Sequence, residues 1–275
     1  MSKKYTVRPP TAAGLFYEIL PDILRENIKG YLETARVPIQ KGTVRALVSP
    51  HAGYVYSGLA AAHAYKMIQG SNYDCVVVVG PSHREYFDGV SIYPGDAYET
   101  PLGTIPIHRE IREELLNEKT VIVSSDAGHR SEHSIEVQLP FLQSVLGDFS
   151  FVPVVMGDQR RQVCIELAKA IVRVANNRNI LLVASSDLSH YHPYDEAVML
   201  DNVVISELEN FNSETFIDDM EKHSFEACGG GPIAVVMNAA RQLGANKTEI
   251  LYYCNSGDIT GEKSGVVGYL AAAFV

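Results

Sequence analysis

The chain has little that would mark it for a nucleic acid, a membrane or an oxidising compartment. Its 275 residues carry 23 Lys or Arg against 33 Asp or Glu, a formal charge of −10. No basic run stands out, so neither nucleic acid nor an anionic lipid surface is expected as a partner. No apolar stretch approaches the roughly 20 residues that a membrane span needs. The opening MSKKYTVRPP is basic but has no apolar segment behind it, so no secretion signal is read there. A cytoplasmic protein is the expectation. There are four cysteines, Cys75, Cys164, Cys228 and Cys254, far apart and without a CxxC pair, which argues against a disulfide framework. Tryptophan is absent while tyrosine reaches 15, which excludes nothing. With no low-complexity segment, linker or internal repeat, residues 1–275 are expected to form a single domain.

What is present is apolar, 46% of the chain, and it is arranged in blocks. RALVS (45–49), CVVVVG (75–80), FVPVVM (151–156), NILLVAS (179–185) and EILYYC (249–254) are short and apolar on both faces, as strands inside a parallel sheet are. Helical patterns lie between and around them, at 57–69, 107–118, 134–147, 160–177, 195–211 and 231–245, with an acidic helix-like stretch, SETFIDDMEKHSF, before the last. The alternation predicts an α/β fold, a mostly parallel central sheet with helices on both faces. Residues 87–108 read as an antiparallel insertion or sheet edge. Cys75 and Cys164 sit in apolar runs and read as inert core thiols.

Four of the strands end on polar chemistry. RALVSP runs into His51-Ala52-Gly53-Tyr54, and CVVVVGPS into His83. NILLVASS runs into Asp187-Leu188-Ser189-His190-Tyr191-His192, and EILYYC into Asn255-Ser256-Gly257-Asp258 after Cys254. Parallel strands would bring these groups to one sheet edge, where open α/β sheets bind ligands. Two His with a third ligand form the minimum set for a metal with open positions. A carboxylate as the third would favour Fe(II), and the Cys254 thiolate zinc, copper or a softer iron site. His190 beside Asp187 has the makings of a general acid/base with an orienting carboxylate.

Two further stretches add to this set. HRSEHSIEVQLP puts His133 and Glu136 at a helix start that Ser131 or Ser134 could cap, so its N–H groups would favour an anion. In ACGGGP, Cys228 precedes a helix whose Pro232 suits the first turn. Its triple glycine would let a ligand approach, and the helix start would lower the thiol pKa. His63 reads as a packing residue on a helix, and His108, His129 and His223 as surface or loop residues. His192 reads equally as a loop or a pocket residue.

The segments RPPTAAGLFY, VSPHAGYVYSG, GPSHREYFDGV, YETPLGTIPI, EHSIEVQLPFL, SSDLSHY, ACGGGPI and YYCNSGD occur in this order over nearly the whole chain. They resemble the Memo family, also described as AmmeMemoRadiSam system protein B. The resemblance implies a fold like that of class III extradiol dioxygenases of the LigB type, which hold non-haem Fe(II) on two His and a Glu. By position, it implies His51 and His83 as metal ligands and His190 as the catalytic His with Asp187 beside it. Cys254 stands where the dioxygenases carry their Glu, which puts ring cleavage in doubt. The implied cofactor is a divalent metal, iron first, then copper or zinc. The implied partners are an AMMECR1-like protein and a radical SAM protein.

Three functions remain open from the sequence. One is a metal-dependent redox enzyme with Tyr54, His133, His192 and Cys228 around its pocket. Another is a binding module that captures an acidic or phosphorylated peptide or a small metabolite there, with Arg84 contributing. The third is hydrolysis, by zinc-activated water or by a cysteine nucleophile.

Overall fold

A computed structural model describes residues 5–39, 42–118 and 121–275. Lys3 and Lys4 of the basic opening stretch lie outside them. The chain begins with β1 (Val7–Arg8), α1 (Pro21–Thr34), β2 (Ala46–Ser49), α2 (Tyr54–Lys66), β3 (Cys75–Pro81) and β4 (Val90–Ile92). It continues with β5 (Ala97–Thr100), β6 (Gly103–Pro106), α3 (Arg109–Asn117), β7 (Ile122–Ser124), a 3-10 turn (Glu136–Gln138), α4 (Leu139–Leu146), β8 (Phe151–Met156) and α5 (Arg161–Ala175). The last elements are β9 (Ile180–Ser185), β10 (His190–His192), α6 (Tyr194–Asn210), α7 (Ser213–Glu221), α8 (Gly230–Gln242), β11 (Thr248–Asn255), α9 (Ser256–Thr260) and β12 (Val266–Phe274).

The main sheet has the order β10-β12-β2-β9-β3-β8-β4-β7, with β11 paired to β12. Its centre, β2-β9-β3-β8, is parallel, as the doubly apolar strands predict. The four valines of β3 show why such strands carry no alternation. Val77 and Val79 enter the core on one face, under α5 and α8, and Val76 and Val78 enter the core on the other, with α1, α2 and α4. Each such burial contributes about 1.5–3 kcal/mol. The insertion predicted at 87–108 divides in two. β4 runs antiparallel to β8 near the sheet edge, and β5 and β6 form a hairpin that pairs with β1 in a separate three-stranded sheet.

Of the elements that escape the sequence pattern, α1 and β12 are the longest. In α1, Leu24, Ile28 and Leu32 are buried among exposed charges. β12, VVGYLAAAF, is rich in small residues and runs antiparallel between β2 and β11. No helix among the described residues is long and apolar enough to cross a membrane.

Candidate metal centre

β9 lies between β2 and β3, so the carboxyl ends of the three strands deliver their following residues to one spot. β2 leads to His51, β3 to His83 and β9 to Asp187. The rings of His51 and His83 stand edge to face with centroids 5.0 Å apart. His133 stacks on His83 at 4.9 Å and meets His51 edge-on at 5.4 Å. Phe16 covers the His133 ring at 4.2 Å.

The third candidate donor is Cys228. Its Sγ is 3.2 Å from His51 Nε2, and one donor atom from each of His51, His83 and Cys228 falls within 4.8 Å of the others. Cys254, the thiol expected from the strand-end pattern, is in no such group among the described residues. It pairs with Tyr269 of β12 and packs against Ala60 of α2. Because β12 lies between β11 and β2, the end of β11 is two strand spacings, about 10 Å, from the end of β2. Cys228 arrives instead on the turn before α8, which packs across β9. The triple glycine serves this approach of chain to chain. A Cβ on Gly229 would stand 2.2 Å from the Ser185 carbonyl oxygen and 2.7 Å from Ser186 Cβ.

The two histidines are anchored from behind. His83 Nδ1 lies 2.9 Å from Glu132 Oε1, and its backbone N–H donates to Oε2 at 2.6 Å. The Glu132 carboxylate also accepts the backbone N–H groups of His133 and Ser134. Burial pushes its pKa up, but the hydrogen bonds from His83 and Ser134 outweigh this and hold it near 2. The anion expected at this helix start is therefore the chain's own. The capping serine is not found, because the Ser134 hydroxyl donates to the Pro81 carbonyl.

His51 is fully enclosed. Burial first, then the neighbouring imidazoles of His83, His133 and His190, hold its pKa well below the ordinary value, so the ring is neutral. Its Nδ1 lies 2.8 Å from Ser185 Oγ. Burial likewise holds His133 near 4. It raises the Cys228 thiol rather than lowering it, against the helix-start expectation. Cys254 is also raised, to about 12.

Asp187 serves His51, not His190. Its Oδ1 accepts the backbone N–H of His51 at 2.8 Å and of Ala52 at 3.3 Å. Burial raises its pKa to about 6, against the lowering effect of the His51 backbone bond and the His190 ring. The imidazole of His190 is oriented by the Leu188 carbonyl, 2.8 Å from Nδ1. A register shift in β10 leaves Tyr191 in the left-handed region, φ 63°, with its side chain in solvent. His190 and Cys228 line one open cleft of about 900 Å³ with Tyr86, Gln159, Met220 and Glu226.

The remaining expected residues stand apart from the donors. Tyr54 is buried beside Tyr17 and Phe141, and its hydroxyl donates to the Val137 carbonyl. His192 sits at the rim between Glu226 (2.9 Å) and Glu196 (3.2 Å), which raise its pKa. Arg84 is exposed. His63 packs as expected, stacked on Tyr252. His129 is no surface residue: it is 1% exposed and bonded to Tyr98.

Residue types missed in the sequence complete the site. Glu132 could have been suspected from the polar run HRSEHS, but Ser185 and Gln138 look like ordinary strand and helix residues. Glu136 is a strut, not a site residue. It takes Arg8 at 2.6 Å and accepts from the Thr11 and Ala12 backbones and the Tyr17 hydroxyl. Arg8 also donates to the carbonyls of His129 and Glu132. RPPTAAGLFY is thereby clamped to HRSEHSIE, which carries Phe16 onto His133.

The family model for Memo-like protein matches residues 8–273. A MEMO1 family protein of Methanosarcina barkeri is 37% identical over 268 residues, covering 96% of this chain and 98% of the relative. One from Thermotoga neapolitana is 39% identical, covering 97% and 99%. One from Sulfolobus acidocaldarius is 39% identical, covering 98% and 99%. Among solved structures, an uncharacterized protein from Escherichia coli K12 superposes with a TM-score of 0.59 at 13% identity. It covers 85% of this chain and 100% of its own, a likeness of fold.

Proposed function

This chain belongs to the Memo-like family, and on that premise we propose that it is a metal-dependent redox protein acting on a small organic substrate. The metal would be held by His51, His83 and Cys228. The carrying observation is the convergence of two imidazoles and a thiol within 4.8 Å of one another. Two nitrogens and one sulfur suit iron, copper or zinc and leave positions open.

A bound iron or copper would supply a change of oxidation state and an open position for O2 or substrate. The chain's own groups do the rest. Glu132 fixes the His83 ring and makes it a stronger donor. Asp187 fixes the His51 loop through two backbone N–H groups. The thiol proton of Cys228 must leave when a metal enters, because burial keeps the sulfur protonated until then. His190, with Nδ1 held on Leu188, offers Nε2 to the cleft as the group that gives or takes a proton. Phe16 closes the far side of the His133 ring to water.

X-ray absorption on protein reconstituted with iron or with copper tests this reading. Nitrogen and sulfur ligation with one sulfur, lost in Cys228→Ala, is the expected result. A shell of light atoms only in the wild type would refute it.

A further inference from the structure

The environment of His51 Nδ1 differs in kind from that of His83. His83 faces a carboxylate, whereas His51 faces the hydroxyl of Ser185, 2.8 Å away. A hydroxyl can accept from a ring N–H or donate to a bare ring nitrogen, so its other bonds decide. The Ser185 hydroxyl donates to the Ser134 carbonyl at 2.6 Å. Its one proton is thus used. Gln138 Nε2 donates to the same oxygen at 2.7 Å.

The amide of Gln138 is itself oriented. Its Nε2 also donates to the Pro50 carbonyl at 3.0 Å, and its Oε1 accepts the Tyr65 hydroxyl at 2.7 Å. Turning the amide over would set its oxygen against the Pro50 carbonyl oxygen. One lone pair of Ser185 Oγ is left, and it can only accept.

We infer that Ser185, fixed by Gln138 and Tyr65, is a positioning residue that sets the tautomer of His51, with the proton on Nδ1 and the lone pair on Nε2. A free neutral imidazole favours the opposite tautomer, so the relay imposes what solution does not. In the metal-free chain the Nε2 lone pair then accepts from the Cys228 thiol, 3.2 Å away. The same lone pair is the one a metal would take. The inference deepens the metal-centre reading, yet the tautomer belongs to the metal-free chain and is measured without metal.

The test is nitrogen–proton correlation spectroscopy of metal-free protein labelled with 15N-histidine, with His51 assigned by its loss in His51→Gln. The expected wild-type pattern is Nδ1–H. In Ser185→Ala the proton moves to Nε2, and in Ser185→Thr, which keeps the hydroxyl, it stays on Nδ1. Copper(II) affinity is expected to fall about 10- to 100-fold in Ser185→Ala and to recover in Ser185→Thr. If Ser185→Ala does not fold, the wild-type pattern decides. Nε2–H in the wild type, or Nδ1–H persisting in a folded Ser185→Ala, would overturn the inference. A wild type with Nδ1–H that takes up no metal supports it while sinking the metal centre.

Discussion

Cys228 Sγ lies 3.2 Å from His51 Nε2, although 177 positions separate them in the chain. The turn before α8 and the end of β2 meet over the carboxyl end of β9, and only a glycine after Cys228 lets the chains approach that closely. Replacing Gly229 with Ala puts a methyl group against Ser185 O and Ser186 Cβ. The expected cost is about 1–3 kcal/mol in stability. Metal affinity should fall with it, since the Cys228 turn must lift. Urea unfolding and a competitive metal titration check the two effects together; an unchanged affinity would show that the turn does not position the thiol.

The Glu132 carboxylate gathers the His83 ring and three backbone N–H groups. Glu132→Gln keeps an acceptor but loses the charge behind the ring. Metal affinity should drop by about 10- to 100-fold with the fold intact. A metal titration with circular dichroism on the same sample measures this, and equal affinities would remove Glu132 from the site.

Arg8 and Glu136 form a buried ion pair that ties residues 8–17 to the segment carrying His133. Arg8→Met leaves a buried carboxylate without its cation, at a cost of about 3–5 kcal/mol. Equilibrium unfolding reads it. A change below 1 kcal/mol would mean that the backbone donors of Thr11 and Ala12 hold Glu136 unaided.

His129 predicts the acid limb of stability. Burial holds its pKa near 3, against about 6.5 in an unfolded chain. The folded protein therefore refuses a proton that the unfolded chain accepts. Its contribution is complete above about pH 6.5 and is lost between there and pH 3, at up to about 1.4 kcal/mol per pH unit. His129→Gln should lower stability at pH 7 but flatten the fall between pH 6 and 4 by about one proton. Urea midpoints across that range test the slope, and parallel wild-type and variant curves would refute the assignment.

The doubly apolar strands made the sheet legible, because Val and Leu on both faces suit only a covered, parallel interior. β12 did not read as a strand because alanines and glycine fill a close-packed place without advertising it. The place of β12 bears directly on the site. Without β12 between them, β11 and β2 look adjacent, and Cys254 looks like the natural third donor. Cys228 was visible as a pocket residue, but its role depends on where α8 crosses the sheet, which is a tertiary fact. The two strand-end histidines, by contrast, needed only the parallel direction of β2 and β3.

Metal content of protein purified without oxygen, compared with Cys228→Ser and Cys254→Ser, tests the central claim most directly. The account predicts about one iron or copper per wild-type chain, lost in Cys228→Ser and kept in Cys254→Ser. Metal kept in Cys228→Ser and lost in Cys254→Ser would contradict it.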